Sequence, residues 1–539
     1  MYDRHEMGAE AELLARLEQT GPIIEKIRRI SGNAGLSLGI LHHGKEIYRA
    51  NYGHQDVAAK TPPTSDTVFP IASMTKSMIA SGFASFVDRG NISWDTKLAE
   101  RVPYFQSKAE EIKSRELFTE ANVVDLLAHR LGLTAGNNFW SQKNQQVLID
   151  KRETARIVGA LEPLVPFRSK FMYSNWGYGL AGEILEELAG ESLEEYFHKT
   201  LFKPLGLTRT TLGSPRDEEY AKCYMALSDA TPYHVPPTAY YSGTARAGAG
   251  ACKSTVNDLL KLYKAWMQAE ADQSKTGETI TPASPFRRVR DTWTGHIAIN
   301  EESDYGFGWV LTHLPTKAGL VGVNAYECPG EYPVLAKGVK PQPLIYHQGS
   351  VTGSLSAVYL LPETETAVIV LGNSFDLSDT PDWVSQLLIE ALLDAPERND
   401  FVELAERTSA NALTHHQPTI DKLASERVEG TSHKPLDAYC GRYFNRLGNF
   451  VLEITRHDDD GLRMAVQGFQ DTSYILHHYH YDEFFWPCDR DAESKEALYP
   501  QTAIGLHKVL FSVEPDGRVN GLTWQIDKAI AAGEYFEKK

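Results

Sequence analysis

The first apolar pattern along the chain has helical spacing. Leu13, Leu17, Ile24 and Ile27 stand three, four or seven residues apart, which predicts helical structure from about residue 9 to residue 31. Two β-rich apolar runs follow at 36–41 and 46–52, and the polar turn between them indicates a pair of adjacent strands. The chain is therefore expected to open with a helix and then contribute an edge of a sheet.

The middle of the chain alternates between helical and strand patterns. Apolar periodicity predicts further helices at 74–87, 122–127, 178–188, 256–267 and 382–393. Strands are predicted at 346–347, 357–361 and 367–371. Because strands come from both the beginning and the end of this region, we expect one antiparallel sheet with helices around it and a helical region inserted between its halves.

The composition and the hydrophobic pattern change in the last quarter of the chain. Residues 397–435 are polar and charged, which predicts a linker with some helix between a catalytic domain at 1–396 and a small domain at 436–539. The small domain has short strand-like runs separated by Gly and Asp turns, a pattern typical of a small β-barrel or sandwich. These runs lie at 439–443, 450–454, 462–466, 473–476, 483–486, 506–513 and 522–526.

Composition and charge narrow the range of partners. The chain has 539 residues, of which 42% are hydrophobic and 23% charged, so a large buried core is expected. The formal net charge of −17 argues against nucleic acid or an anionic membrane as the main partner, since both attract basic surfaces. The acidity is better explained by a solvated surface that keeps the protein soluble.

Targeting and metal-binding patterns are weak in this sequence. The first 18 residues lack the basic start and apolar stretch of a signal peptide, and no stretch approaches the length of a membrane span, so we expect a cytoplasmic protein. The five cysteines are far apart and without zinc-site spacing, and His477, His478 and His480 fit an exposed strand. We expect no metal and no cofactor.

Ser73 and Lys76 form the only Ser-x-x-Lys sequence in the chain. A spacing of three places both side chains on one face of the predicted helix, with the serine where a loop opens into it. A serine hydroxyl becomes a good nucleophile when a neighbouring base takes its proton, and a lysine with a lowered pKa can be that base. The alternative is a helix-capping serine followed by a surface lysine.

Two later segments carry side chains that could complete such a site. Tyr173 and Asn175 stand together, and a tyrosine can relay a proton while an asparagine amide holds substrate and lysine. His347, Gly349 and Ser350 follow an apolar run, so they can lie on an exposed sheet edge where glycine lets a substrate approach the backbone. The alternatives are a core tyrosine and a turn histidine. A literal Lys-Thr-Gly at 275–277 lies in a polar stretch and is interpreted as a surface turn.

Several segments of the chain resemble those of one enzyme family and occur in the same order. The stretches are Phe69–Lys76, Val124–Leu133, Leu201–Leu207, Ala247–Leu260 and Tyr305–Trp309. Together they resemble, in order, segments of the serine β-lactamase and penicillin-binding-protein superfamily, in particular its class C β-lactamase-like esterases and peptidases. The resemblance implies a β-lactamase/transpeptidase-like α/β (α+β) fold, and the C-terminal domain resembles the lipocalin-like appendages of several members.

The resemblance also implies roles for the candidate residues. Ser73 would be the nucleophile, Lys76 its partner, and Tyr173 the general base or proton relay, while Asn175 would bind substrate. His347 replaces the lysine of the family's Lys-Thr-Gly motif, which removes a permanent cation and disfavours β-lactamase or carboxypeptidase activity. Gly349 and Ser350 follow it on the substrate side.

The predicted activity is hydrolysis of a small-molecule ester, amide or thioester through an acyl-enzyme on Ser73. The runner-up is an acyltransferase, or a thioesterase-like step in a biosynthetic pathway, which would use the same acyl-enzyme. D-amino-acid peptidase activity, true β-lactamase activity and a non-catalytic homologue are less favoured. The oligomeric state is left open, with a homodimer as one option.

Overall fold

The structure is a computed structural model, and it describes residues 4–140, 142–214, 220–458 and 461–539. Its helices are α1 Arg4–Gln19, α2 Gly21–Ser31, α3 Thr75–Asp88, α4 Leu98–Arg101, α5 Pro103–Ser107, α6 Glu116–Thr119, α7 Val123–Leu127, α8 Thr154–Ala160, α9 Asn175–Ala189, α10 Leu193–Phe197, α11 Lys203–Leu205, α12 Ala247–Gly250, α13 Val256–Thr276, α14 Val289–Thr292, α15 Asn324–Glu327, α16 Thr380–Leu392, α17 Phe401–Ala412, α18 Gln417–Glu426 and α19 Arg490–Lys495.

The strands fall into a first group that ends at residue 375 and a second group that begins at residue 441. The first group is β1 Gly35–His42, β2 Lys45–Gly53, β3 Phe69–Pro70, β4 Cys223–Ala226, β5 Pro232–Val235, β6 Lys253–Ser254, β7 Ile297–Ala298, β8 Asp304–Tyr305, β9 Val310–Leu314, β10 Gln342–Val351, β11 Ser354–Leu361, β12 Thr366–Gly372 and β13 Ser374–Phe375. The second group is β14 Gly441–Phe444, β15 Val451–His457, β16 Gly461–Val466, β17 Tyr474–His480, β18 Glu483–Phe485, β19 Lys508–Val513, β20 Val519–Trp524 and β21 Glu534–Lys538.

An eight-stranded antiparallel sheet forms the centre of the first region. Its strand order is β2-β1-β12-β11-β10-β9-β8-β7, so strands from the beginning and the end of the region lie side by side as predicted. In β12, Val368 and Val370 enter one apolar core while Ala367, Ile369 and Leu371 enter the other. Both faces of this strand are therefore covered, which explains why its sequence is continuously apolar rather than alternating.

Helices on the two faces bury these alternating side chains. On one face α16 packs on β11 and β12, with α1, α2 and α17 around it. On the other face α13 packs on β1 and β12, and α3 and α9 lie in the same layer. Lys76 lies in the first turn of α3 and Ser73 in the 3₁₀ turn immediately before it, so the second layer positions both catalytic candidates.

Two predicted helices differ in extent from the observed ones. The helical pattern at 9–31 is divided into α1 and α2, because Pro22 has no backbone N–H and is tolerated only in the first turn of a helix. The helix predicted at 256–267 continues to Thr276 and ends at Gly277, whose φ of 76° is left-handed. Lys275 and Thr276 are thus the last residues of α13 rather than part of a turn, and they lie outside the central sheet.

The second group of strands closes into a barrel of eight, from β14 to β21. The pairing of Tyr443 with Lys538 and of Phe444 with Glu537 joins the first strand to the last. The closing strand was not predicted from the sequence, because charged residues surround the single buried side chain of Phe536. Closure leaves the barrel without a free edge.

The polar segment between the two regions contains two helices with different attachments. Phe401, Leu404 and Ala405 of α17 are buried in the core that α16 forms with the sheet. Helix α18 contacts the barrel instead, where the Tyr479 hydroxyl donates to the Leu423 carbonyl at 2.7 Å. The segment is thus ordered on both sides, and the domain limits at 396, 397 and 436 stay predictions.

The barrel packs directly against the first region. The Phe139 and Phe450 rings meet edge to face, with centroids 5.2 Å apart. The Tyr474 hydroxyl donates to the Gln142 side chain at 2.5 Å, and nearby Lys143 pairs with Glu496 at 2.9 Å. These contacts fix the barrel beside residues 137–149. Among the described helices, none is both long and apolar enough to span a bilayer.

Candidate active site

Ser73 lies where a short strand turns into a helix. Strand β3 ends at Pro70, a single 3₁₀ turn covers Ala72–Met74, and α3 begins at Thr75. Ala72 has a left-handed φ of 47°, a sparsely populated conformation for a residue with a side chain. The Thr75 hydroxyl donates to the Ala72 carbonyl at 2.6 Å and holds this turn. As a result Ser73 is partly exposed while its neighbours are buried.

Lys76 is the centre of the site. Its Nζ lies 2.9 Å from the Ser73 hydroxyl oxygen, 2.9 Å from Asn175 Oδ1 and 2.8 Å from the Ala249 carbonyl oxygen. The side chain is 0% exposed, and burial together with the positive charge of Arg246 holds its pKa well below the ordinary value. The lowered pKa favours the neutral amine form of Lys76 over its ordinary charged form.

The geometry orients the lone pair of that amine. A neutral amine has two hydrogens, and Asn175 Oδ1 and the Ala249 carbonyl can only accept hydrogen bonds. When both hydrogens go to these acceptors, the lone pair is left for the third contact, which is the Ser73 hydroxyl. The arrangement can therefore take a proton from Ser73.

Tyr173 completes the group around Ser73. Burial raises its pKa, and an interaction with the Ser73 hydroxyl lowers it by a smaller amount. Lys76 Nζ lies 4.8 Å from the centre of the Tyr173 ring. Because its pKa is raised, the resting phenol is protonated and suited to donate a proton rather than to accept one. The predicted convergence of Ser73, Lys76 and Tyr173 is present in the structure.

Asn175 connects the lysine to the next layer of the protein. It is the first residue of α9, whose N-cap Ser174 accepts a hydrogen bond from the Gly177 N–H at 3.0 Å. Its Oδ1 accepts from Lys76, and its Nδ2 donates to Asn137 Oδ1 at 3.3 Å. The helix start therefore fixes which end of the amide faces the lysine.

His347 is fully buried, at 0% exposure, although it lies on β10 beside Ser73. Its Nδ1 lies 2.5 Å from the Gln348 carbonyl oxygen and its Nε2 lies 3.1 Å from the Tyr305 hydroxyl. Burial, and then the positive charge of Lys76, lowers the pKa of His347 to about 3. The imidazole is thus neutral and engaged on both nitrogens, and it supplies no positive charge to a substrate.

Gly349 and Ser350 lie on the part of β10 that approaches the nucleophile. In the described pairing, β9 accompanies β10 only as far as Tyr346, so the strand beyond it has an open side. A Cβ atom at position 349 would lie 2.3 Å from the Ile71 carbonyl oxygen, which is too close for any side chain. Glycine is required there because the strand and the segment before Ser73 are in direct backbone contact.

His129 is a neighbour of Tyr173 that sequence analysis did not assign. Its ring centroid lies 4.4 Å from that of Tyr173, and its Nδ1 accepts the Ser174 backbone N–H at 3.0 Å. Burial holds its pKa well below the ordinary value, with further lowering by Lys76 and His347. Its left-handed φ of 59° depends on the local fold and has no signal in the sequence.

Two tyrosines from distant segments reach the same region. Tyr326 is 79% exposed, yet its charge acts on the pKa values of both Tyr173 and Tyr499. Tyr499 belongs to the C-terminal region and lies near Ser350, while burial of its hydroxyl raises its pKa to about 12. Tyr326 lies in the long Gly- and Pro-rich insertion that precedes His347. Tyr499 had no distinguishing signal in the sequence.

The polar groups around Lys76 are two buried histidines, an amide and a backbone carbonyl. The amide and the carbonyl accept from Lys76, and His347 is engaged on both nitrogens, whereas His129 Nε2 has no hydrogen-bond partner among the described residues. In the described ranges, one group of three potential ligands is close enough for a metal, and it consists of His416, Cys488 and Glu493. These residues lie just before α18 and in the barrel region rather than beside Ser73.

Two family models match the chain. The first is described as Beta-lactamase and matches residues 23–391. The second is described as a domain of unknown function, DUF3471, and matches residues 425–538. Together they cover both the region with the central sheet and the region with the barrel.

Curated proteins and a solved structure are similar along most of the chain. Penicillin-binding protein 4* of Bacillus subtilis is 23% identical over 77% of this chain and 89% of that protein. Unguisins hydrolase ungD of Aspergillus violaceofuscus is 23% identical over 80% of this chain and 75% of its own. The octameric penicillin-binding protein homologue from Pyrococcus abyssi has a TM-score of 0.55 at 21% identity, covering 97% of this chain and 99% of that one, which establishes a shared fold.

Proposed function

The chain belongs to the beta-lactamase family of serine hydrolases, and from this premise we propose that it cleaves a small-molecule ester or amide through an acyl-enzyme on Ser73. The observation that carries the proposal is the 2.9 Å contact between Lys76 Nζ and the Ser73 hydroxyl, in a site where both amine hydrogens have other acceptors. A thioester would react by the same steps.

Acylation begins with proton transfer. As Lys76 takes the hydroxyl proton, Ser73 Oγ forms a bond to the carbonyl carbon of the substrate. The bond from that carbon to the leaving group then breaks, and the leaving group receives a proton from Tyr173, which recovers one from Lys76. Water attacks the resulting ester, gives a proton to the same pair, and Ser73 leaves with a proton restored.

The developing oxyanion needs hydrogen-bond donors that are already in place. We assign this role to backbone N–H groups at the start of α3 and on the open side of β10 near Ser350. The close approach of Gly349 to the Ile71 carbonyl supports this assignment, because it brings the strand against the segment that carries Ser73. Both donors would belong to rigid elements, which lowers the cost of organising them in the transition state.

The charges around Ser73 favour an uncharged acyl group. His347 is neutral, and Arg246 has its guanidinium stacked 4.3 Å from the Trp140 ring centre and 3.7 Å from that of Tyr240. Tyr326 and Tyr499 present aromatic surface on the exposed side of the site. An apolar or aromatic acyl group fits these surroundings better than a peptide with a free carboxylate.

The first test is covalent labelling of the intact protein with a fluorophosphonate. Wild type is expected to take up one label per chain on Ser73, located by peptide mass spectrometry. Ser73→Ala should lose the label, while Ser81→Ala on the same helix should keep it. A folded wild-type protein that stays unlabelled, or a label on another residue, would overturn the proposal.

Hydrolysis is preferred to acyl transfer, although both would use one acyl-enzyme. The similar protein from Aspergillus violaceofuscus is named a hydrolase, which supports water as the acceptor. Incubating the enzyme with an aryl ester and competing alcohols or amines separates the reactions. Products formed with water support hydrolysis, whereas dominant transfer products would establish the alternative.

A further inference from the structure

A second cluster of buried polar groups lies where helix α18 meets the barrel. His416 immediately precedes α18, Cys488 follows β18, and Glu493 lies in α19. One donor atom from each side chain lies within 4.8 Å of the other two. Their exposures are 5%, 6% and 7%, so three metal-binding side chains from separate elements meet out of contact with solvent.

The hydrogen bonds inside this cluster leave part of it unsatisfied. Glu493 Oε2 accepts from His416 Nε2 at 3.0 Å and from the Gln501 backbone N–H at 3.0 Å. Within the described chain, Glu493 Oε1 and His416 Nδ1 are buried and have no hydrogen-bond partner. A buried carboxylate oxygen without a partner is costly, and a cation is the kind of group that removes the cost.

His507 lies next to the unsatisfied oxygen. Its Nε2 is 3.7 Å from Glu493 Oε1 and 3.0 Å from the Gln501 carbonyl oxygen. His507 therefore lies beside Oε1 of Glu493. It also contacts Gln501, whose backbone N–H donates to the other carboxylate oxygen, Oε2. Such a histidine can fix the orientation of a ligating carboxylate without being a ligand itself.

We propose that His416, Cys488 and Glu493 bind one divalent cation of the zinc type, with His507 positioning Glu493. Imidazole nitrogen, thiolate sulfur and carboxylate oxygen are the donors that Zn²⁺ takes in proteins. Binding releases the thiol proton of Cys488, so the ion's two positive charges meet one thiolate and one carboxylate. The donors are 72 and 5 positions apart along the chain, which explains why no short zinc motif marks them.

The position of the site suggests a structural role. The ion would join the start of α18 to segment 486–507, which leads from β18 to β19 and carries Cys488 and Glu493. That segment also carries Tyr499, which lies near Ser350. A cation at the cluster would thus hold the part of the barrel region that reaches the proposed active site. The metal-binding proposal itself is independent of the proposed hydrolase activity.

The direct test is titration of the full-length, metal-stripped protein with Co²⁺, which reports its ligands by absorption. We expect one Co²⁺ per chain and a thiolate-to-metal charge-transfer band in the near ultraviolet. Cys488→Ser should lose the band, and Cys440→Ser, which removes a cysteine elsewhere in the barrel region, should keep it. His507→Ala should weaken binding about 10–100-fold, the usual cost of losing an orienting partner.

A second measurement needs no variant and covers the case in which Cys488→Ser fails to fold. In the wild type, Zn²⁺ should slow alkylation of Cys488, mapped by mass spectrometry, while Cys440 serves as an internal control for general accessibility. Absence of stoichiometric binding, a Co²⁺ band that survives in a folded Cys488→Ser protein, or equal alkylation of Cys488 with and without Zn²⁺ would each overturn the proposal.

Discussion

The site around Ser73 and the cluster at the barrel both contain a pair of buried histidines, and they differ in whether an acidic side chain accompanies the pair. Around Ser73, burial lowers the pKa values of His129 and His347, and Lys76 lowers both further. Lys76 is itself affected by the positive charge of Arg246. In the described part of the chain, no acidic side chain contributes to these three shifts.

The cluster at the barrel differs in containing an acidic side chain. Burial lowers the pKa of His507, and Glu493 offsets part of that lowering. Glu493 also contacts His416 directly, and Cys488 adds a sulfur donor that becomes anionic when a metal binds. The cost of placing a positive charge is therefore partly offset here, and it is not offset around Ser73.

This difference shows how the same residue types are directed to different chemistry. Burial without an acidic partner keeps amines and imidazoles neutral, which leaves a lone pair available as a base. Burial with a carboxylate and a thiol creates a ligand set that is incomplete without a cation. The distinction can be tested by adding an acidic side chain to the first cluster and removing one from the second. Catalysis is measured for the first cluster and metal affinity for the second.

The largest effect is expected from removing the base at the first cluster. Lys76→Met keeps the length and burial of the side chain but has no amine to accept the Ser73 proton. Loss of one acid–base group lowers kcat/KM by about 10²–10⁴-fold. Steady-state kinetics on an activated ester measures the change, with the exposed Lys97→Met as the control. Near-normal acylation in Lys76→Met would show that another group is the base.

The next effect comes from adding an acidic group beside Lys76. Asn175→Asp places a carboxylate 2.9 Å from Nζ, and an opposite charge at that distance raises a lysine pKa by about 1–3 units. The neutral amine then becomes available only at higher pH, so kcat/KM near pH 7 should fall by about 10–10³-fold and recover as pH rises.

The matched variant Asn175→Ala removes the amide without adding a charge. It should lower the rate without moving the acidic limb of the pH profile to higher pH. If Asn175→Asp and Asn175→Ala give superimposable pH profiles, the charge of Lys76 is not what controls the reaction. That result would remove the electrostatic distinction between the two clusters.

In the cluster at the barrel, the converse substitution removes an acidic group. Glu493→Gln keeps the shape of the side chain but removes its negative charge, and the Co²⁺ affinity should fall by more than about 100-fold, above the range for an outer-shell partner. The affinity is measured by competition with a coloured chelator. The partly exposed carboxylate of Asp491, two positions earlier, gives the control Asp491→Asn, which should bind Co²⁺ like the wild type. Unchanged affinity in Glu493→Gln would exclude the carboxylate as a ligand.

A smaller effect is expected on stability at acid pH. The pKa of His347 is about 3 in the folded protein and about 6.5 in the unfolded chain, so below pH 6.5 the unfolded chain binds a proton that the folded protein does not. Folding stability therefore falls by about 1.4 kcal/mol per pH unit between pH 6.5 and pH 3 because of this residue.

His347→Gln removes that contribution. Between pH 6.5 and pH 5 the variant should lose about 2 kcal/mol less unfolding free energy than the wild type, measured by urea denaturation at both pH values. His313→Gln, at an exposed position on β9, is the control. An equal loss in the wild type and His347→Gln would mean that His347 is protonated in the folded protein.

Sequence analysis identified the parts of the site that depend on local spacing or on motif order. Ser73 and Lys76 are three residues apart, at the 3₁₀ turn and the first turn of α3, and the resemblance to the β-lactamase family is confirmed by the family model over 23–391. The antiparallel sheet and seven of the barrel strands were also predicted, because their apolar runs are continuous and bounded by turns. The eighth strand, β21, was not, since its pairing partners rather than its own sequence define it.

What sequence analysis missed depends on contacts between distant segments. His129 supports Tyr173 only because α7 and the start of α9 pack together, and its backbone conformation has no residue-type signal. Arg246 affects Lys76 through a guanidinium stacked between two rings. The proposed metal ligands come from three separate parts of the chain, just before α18, after β18 and within α19. None of these relations can be read from spacing along the chain.

The smallest predicted effect concerns a contact between the barrel region and the proposed active site. Tyr499→Ala removes an aromatic ring that is half exposed and lies beside Ser350. Because a single aromatic contact contributes about 0.5–1.5 kcal/mol, KM for an ester with an aromatic acyl group should rise about 2–10-fold while kcat changes little. The control is Tyr481→Ala, another exposed tyrosine of the barrel region. A fall in kcat at constant KM would place Tyr499 in the chemical step, and equal effects of the two variants would show that the barrel acts only through general stability.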